Sequence, residues 1–256
     1  MWEKIINEVH KNHSSIFCQL WHCGGVRKLG MPPDPKIPGF TPSGLVKEGG
    51  KKVAYEMTLE DIQELIQIYA NDAKICQELG FDGVEIHGAH GYLIDQFFWE
   101  QINLRKDNYG GSLENRARFA SEIISNSKQI TSDSFKVGIR VSQWKQQNYN
   151  AKIASSKESL AKFFNILKVA GADFLHCSNR RYWENEFSDE SINLAGYAKK
   201  ITGLPSISVG SVGLNKDFTK TFGGDHETQT ADISTLYETL NNKYKCIYNN
   251  DIICVI

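Results

Sequence analysis

The stretch Leu79-Gly80-Phe81-Asp82-Gly83-Val84-Glu85-Ile86-His87 has a near copy downstream, Ala170-Gly171-Ala172-Asp173-Phe174-Leu175-His176. Each reads as a helix stopped by glycine, a short turn, and a strand that ends in histidine. Upstream of the first copy, Thr58 and Asp61 form a capping box. The helix they open carries Ile62, Leu65, Ile66, Tyr69, Ala73 and Cys76 on one face. Before it, Trp2, Ile5, Ile6 and Val9 recur at helical spacing, and residues 16–20 read as a short buried strand. Beyond residues 84–87, strands are expected at 136–141, 174–177 and 206–209. Helices are expected around Phe119, Ile123 and Ile124, at 156–170 and at 192–201. A helix near 233–240 and a strand within 246–256 complete the series.

Alternation of helices with continuous apolar strands argues for a parallel sheet with helical crossovers. The segments after strands are long (21–55, holding Pro32, Pro33, Pro35, Pro38 and Pro42, and 88–112), whereas those after helices are short. That asymmetry fits a (β/α)8 barrel of the TIM type, whose working face is built from the loops that follow its strands. An open doubly wound sheet competes, but Gln19-Leu20-Trp21-His22-Cys23-Gly24-Gly25 does not spell the G-x-G-x-x-G turn it favours. About six of the eight strands can be counted. The chain is therefore read as a single partial barrel domain, residues 1–256, with abrupt ends that make it shorter than its fold.

The 256 residues carry a net charge of −1, with no basic excess to neutralise a run of phosphates, so nucleic acid is not expected as a partner. No apolar run approaches the ~20 residues of a membrane span, so no membrane role is expected. The charged N-terminus has no signal-peptide core. Six cysteines are too sparse for a disulfide scaffold, and reduced thiols in a cytoplasmic protein are the expectation.

Polar residues gather where strands end: Gln19 and His22, then His87, His90 and Tyr92, then Arg140 and Ser142, then His176, and finally Gly210 and Ser211. In a barrel all of these meet at one mouth. Within His87-Gly88-Ala89-His90-Gly91-Tyr92, two imidazoles can donate to one oxygen while the phenol delivers a proton. The bland alternative is that the histidines satisfy loop backbone groups. A metal site needs a further ligand that neither Cys18, Cys23 nor His176 supplies at supporting spacing, so no metal is expected. Arg140 interrupts an apolar strand and calls for a bound anion, or for an internal ion pair with Glu85. The Gly210-Ser211-Val212-Gly213 turn sits where barrels bind phosphate through backbone N–H groups. Cys18 reads as packing rather than a nucleophile. Trp21 is placed at a flat-ligand pocket, and Phe97, Phe98 and Trp99 in the core.

The segment from Gly83 through His87, His90, Tyr92, Leu93-Ile94-Asp95-Gln96-Phe97-Phe98, Asn103, Arg105, Asp107, Tyr109-Gly110-Gly111-Ser112, Asn115-Arg116 and Arg118-Phe119 strongly resembles the Old Yellow Enzyme family. These are FMN-dependent NAD(P)H:flavin oxidoreductases and ene-reductases of the 12-oxophytodienoate reductase type. Gln19-Leu20-Trp21-His22, Gly138-Ile139-Arg140-Val141-Ser142 and Val209-Gly210-Ser211-Val212 resemble three further family motifs in the same order. The resemblance implies a (β/α)8 barrel with FMN across its mouth. Gln19 and Arg140 are then expected at the isoalloxazine, and Gly210 and Ser211 at the FMN phosphate. His87 and His90, beside Trp21, are expected to hold the carbonyl oxygen of an α,β-unsaturated substrate, with Tyr92 as proton donor. NADH or NADPH is the expected reductant and a small enone the expected partner, with a homo-oligomer left open. The resemblance also implies about two further strands ahead of Met1 and a phosphate-gripping Gly-Arg pair, which residues 245–256 lack. The alternative expectation is a non-catalytic truncated remnant that no longer binds FMN.

Overall fold

A computed structural model of the chain describes residues 1–214 together with 229, 230 and 234. The two repeated joints do the same work in it. Gly80 and Gly171 take φ of +96° and +102°, which lets each helix end turn sharply into the next strand. The aspartate two residues on then ties neighbouring strands at their starts. Asp82 Oδ2 accepts the Ile16 N–H at 2.7 Å, and Asp173 Oδ2 accepts the Val137 N–H at 2.8 Å. Backbone bonds from Lys136 to Asp82 and from Asp173 to Val137 continue the ladder. A glycine-x-aspartate joint thus ends a helix and sets strand register together.

The elements run α1 (Trp2–Lys11), β1 (Phe17–Leu20), β2 (Phe40–Thr41), β3 (Tyr55–Glu56), α2 (Leu59–Leu79), β4 (Gly83–His90) and α3 (Leu93–Phe98). There follow α4 (Leu113–Ile130), β5 (Lys136–Lys145), α5 (Lys157–Val169), β6 (Phe174–Ser178), α6 (Leu194–Thr202) and β7 (Ser206–Val209). The expected capping box of α2 is present, with Asp61 N–H on Thr58 Oγ1 at 3.1 Å and Thr58 N–H on Asp61 Oδ2 at 2.7 Å. Five strands form one all-parallel sheet in the order β1-β4-β5-β6-β7, and β2 and β3 pair separately. Parallel neighbours joined through helices make this sheet part of a (β/α)8 barrel. Its edge strands β1 and β7 are only partly buried, while β6 is buried throughout.

Register sorts the side chains. Val84, Ile86, Val137, Ile139 and Leu175 point to the helices and join Ile62, Ile66, Ile123 and Phe163 in the main core. The opposite face carries two rows, Gln19–Glu85–Gly138 and His87–Arg140–His176. Beneath them Phe17 and Phe174 meet edge to face at 5.4 Å. Gly83 and Gly138 leave room for those rings, since a Cβ on either would strike the phenyl group beside it. Apolar rings therefore close the floor of the inner face, and polar groups occupy the levels above it.

Three expectations need correction. The stretch 88–112 is not all loop, because α3 lies within it and buries Leu93, Ile94, Phe97 and Phe98. The long segment after β1 contains β2, β3 and a short 3-10 turn at Gly24–Val26. Strand β5 runs on to Lys145 rather than ending at 141, and β4 runs on to His90. Phe97, Phe98 and Trp99 are fully buried core, as read. The helix expected near 233–240, the strand expected within 246–256 and the Gly-Arg comparison at 245–256 lie outside the described residues.

Candidate active site

The inner face gains its chemistry at the carboxyl ends of β1, β4, β5 and β6. Glu85, on β4 and 7% exposed, accepts from Gln19 Nε2 and meets His176 Nδ1, each at 2.5 Å. Burial alone pushes its carboxyl upward. The bonds from His176 and Gln19 and the charge of Arg140 outweigh that and hold it below the ordinary carboxylate range. The ion-pair alternative for Arg140 thus takes a different form: Glu85 is bonded to His176 and Gln19, and Arg140 adds its field. Gln19 keeps an exposed position on the sheet edge.

One level higher, β4 carries a bulge between Gly88 and His90. His90 and Gly91 take φ of +62° and +79°, turning the chain so that His87, His90 and Tyr92 converge although the strand alternates. Ring centroids lie 5.2 Å apart for His87–His90 and 5.4 Å for His87–Tyr92. Trp21 packs edge-on against Tyr92 at 5.1 Å and is itself half exposed. His87 is 5% exposed, and both its ring nitrogens are buried with no hydrogen bond among the described residues. Burial, then the Arg140 charge, lowers its pKa to about 4. The same two causes, followed by His87, bring His90 down to about 2. Both imidazoles are neutral near pH 7, each with one N–H to donate.

The turn is braced from below. His90 N–H bonds to Ser142 Oγ at 2.9 Å, Gly91 N–H to Asp95 Oδ2 at 2.7 Å, and Gln96 Nε2 to the Gly91 carbonyl at 2.7 Å. On the other side, Ser178 Oγ lies 2.7 Å from His90 Nε2 and accepts from Arg140 Nη2 at 3.2 Å. Asn179, next along, donates its N–H to Val209 O at 2.8 Å, and this links the cluster to the turn after β7. There Gly210 takes φ of +147° with its Cα against the Asn179 carbonyl, where a Cβ would collide. Ser211 and Gly213 also have positive φ, +51° and +71°. Ser211 Oγ donates to the Arg180 carbonyl at 2.9 Å, so its hydroxyl closes the turn.

His87, His90, Tyr92 and Arg140 thus come together at the strand ends, with Gln19 one row below and Gly210 and Ser211 at the far side. His176 is read from the sequence only as a mouth residue and Glu85 only as a possible partner of Arg140; Ser178 and Trp144, which stacks on His90 at 4.6 Å, are not read from it at all. The period-2 pattern of β6 placed His176 and Ser178 on one face and was the available signal. Among the described residues no group of three or more His, Cys, Asp or Glu is placed to hold a metal. Nor is any described helix long and apolar enough to cross a membrane.

The titrations predict acid sensitivity with a definite sign. An unfolded histidine takes its proton near 6.5, whereas folded His87 waits until about 4. The unfolded state therefore binds more protons in that window, and stability falls as pH drops. Each of the two rings should remove on the order of 2 kcal/mol between pH 7 and 5. Glu85, with its lowered folded value, adds a loss of the same sign below 4.5. Denaturant midpoints at pH 7 and pH 5 check this: the loss should shrink markedly in His87→Asn/His90→Asn, and an equal loss in both proteins would contradict it.

The chain matches the profile of the NADH:flavin oxidoreductase / NADH oxidase family over residues 1–223. It is 40% identical over 186 residues to putative 12-oxophytodienoate reductase 11 of Oryza sativa subsp. japonica, covering 68% of this chain and 50% of that protein. It is 40% identical over 152 residues to 12-oxophytodienoate reductase 2 of Arabidopsis thaliana, covering 55% of this chain and 40% of that one. A solved structure of morphinone reductase in complex with tetrahydroNAD superposes with a TM-score of 0.67 at 25% identity, over 86% of this chain and 61% of that one. The chain spans about half the length of the relatives it matches. With the family motifs of residues 83–119 lying on β4, α3 and α4 of a parallel barrel sheet, the chain belongs to the NADH:flavin oxidoreductase family, the Old Yellow Enzyme family that its sequence resembles.

Proposed function

We propose that the chain carries the active-site strands of an FMN-dependent ene-reductase that uses NADH or NADPH to reduce the carbon–carbon double bond of an α,β-unsaturated carbonyl compound. The observation that carries this reading is His87: a buried imidazole with both nitrogens unpartnered among the described residues, facing His90 and Tyr92. A buried polar group without a partner costs about 1–3 kcal/mol, and a bound acceptor removes that cost. FMN fits the same face. Arg140 and Gln19 supply hydrogen-bond donors on adjacent rows of it, the donor chemistry that the carbonyl and nitrogen edge of an isoalloxazine takes.

When bound, FMN supplies the hydride chemistry. The chain's own residues do the rest. Gln19 and Arg140 would hold the isoalloxazine, with the Arg140 charge placed to stabilise negative charge there, and Gly210 and Ser211 would hold the phosphate. His87 and His90, neutral and each with one N–H, converge on the substrate oxygen and stabilise negative charge as it develops there. Tyr92, half-buried beside them and with its hydroxyl accepting among the described residues only from exposed Gln146 at 3.3 Å, gives its proton to the α-carbon.

Binding of a simple phenol to the FMN-loaded protein tests the site. A phenolate oxygen takes the place of the carbonyl oxygen, and two bonds to a charged acceptor are worth about 1.5–3 kcal/mol each. His87→Ala/His90→Ala should weaken the phenol by at least about a hundredfold. An unchanged titration would overturn the assignment.

A further inference from the structure

We propose that Ser178 is a positioning residue that fixes the tautomer of His90, leaving its Nδ1–H as the ring donor offered to a bound oxygen.

The argument is a count of protons. Ser178 is 3% exposed, and its hydroxyl has two partners, Arg140 Nη2 at 3.2 Å and His90 Nε2 at 2.7 Å. A guanidinium only donates, so one lone pair of Oγ is taken by Arg140. The hydroxyl has a single proton, and His90 Nε2 is the one acceptor in reach among the described residues. If Nε2 carried a hydrogen as well, the serine proton would be buried without a partner, a costly arrangement. Nε2 therefore accepts, and the ring hydrogen sits on Nδ1. Burial and the nearby Arg140 charge keep the ring singly protonated, so the two nitrogens differ in role at neutral pH.

The same indole holds both partners. Trp144 stacks on His90 with ring centroids 4.6 Å apart and planes at 23°, and its Nε1–H donates to the Ser178 carbonyl at 3.1 Å. Ring and hydroxyl are thus registered to each other. His90 Nδ1 makes no hydrogen bond among the described residues, so it is the nitrogen left for a ligand. Ser178 also joins the residue expected at the flavin, Arg140, to one expected at the substrate. Arg140 orients the hydroxyl, and the hydroxyl orients the imidazole.

The role of Nδ1–H toward substrate rests on the function proposed above, but the tautomer does not. It is read in the flavin-free 256-residue chain by 15N NMR after selective histidine labelling, with His90 assigned from its loss in His90→Asn. The expected spectrum has a pyrrole-type Nδ1 and a pyridine-type Nε2, the other tautomer being about tenfold or more rarer. Ser178→Ala should shift that ratio by about tenfold toward Nε2–H, and Ser178→Thr, which keeps the hydroxyl, should restore it. A pyrrole-type Nε2 in the unaltered protein overturns the proposal, and so does a ratio that Ser178→Ala leaves unmoved. If Ser178→Ala does not fold, the spectrum of the unaltered chain decides by itself. Failure of the chain to bind flavin or phenol would count against the proposed function and leave the tautomer result standing.

Discussion

Lys145→Met is expected to destabilise the protein by about 3–5 kcal/mol, read as a shift in the denaturant midpoint at pH 7. Lys145 and Asp95 are both fully buried, with Nζ 2.5 Å from Oδ1. Burial pushes the Asp95 carboxyl up to about 6 despite the lysine beside it, and burial pushes the Lys145 ammonium down. Each charge is tolerated only because the other is there. Lys145 also donates to the Ser142 carbonyl at 3.1 Å, while Asp95 accepts the Gly91 N–H. Removing the lysine strands a carboxylate directly beneath the turn that carries His90 and Tyr92. Adding Asp95→Asn should recover more than half of the loss, since the amide oxygen can still accept from Gly91 and no charge remains. A double variant as unstable as the sum of the two singles would contradict this account.

The second large effect is chemical. Tyr92→Phe should slow reduction of an enone by about 10²–10⁴-fold, the usual worth of a positioned general acid, while reduction of the flavin by NADPH proceeds at the unaltered rate. The ring contacts that hold Tyr92, with Trp21 at 5.1 Å and His87 at 5.4 Å, involve its aromatic body and survive the change. Only the hydroxyl is lost. Stopped-flow measurement separates the two half-reactions, and equal slowing of both would mean that Tyr92 shapes the pocket rather than delivering a proton.

What could be read from the chain itself follows from how local each feature is. Thr58 and Asp61 are three residues apart, so their capping box is a property of one turn, and the glycine-x-aspartate joints are equally local. The five strands of the main sheet were legible from apolar runs, but the two-residue β2 and β3 were not, and neither were strand ends. Beyond Val141 and His87 the strands pass into polar or glycine-rich sequence that resembles loop, and it is pairing, Gly88 with Val141 and, past the bulge, His90 with Lys145, that carries them on. Helix α3 hid for a related reason: its six residues follow Gly88, Gly91 and a left-handed His90, all loop signals. The convergence of His87, His90, Tyr92 and Arg140 was readable because the barrel brings strand ends to one mouth. The Glu85–His176 and Asp95–Lys145 pairs join residues 91 and 50 positions apart. Nothing in sequence spacing joins them; register and the bulge in β4 do.

The central claim is that these strands still build a flavin site, and direct binding of FMN to the purified chain tests it. Titration followed by flavin fluorescence quenching and the visible absorbance of the bound form should show one FMN per chain, with Arg140→Leu weakening it by about 10–100-fold for the loss of charge-assisted bonds. A folded, soluble chain that leaves flavin fluorescence unchanged at every concentration would contradict the account and make the site an inheritance without a ligand.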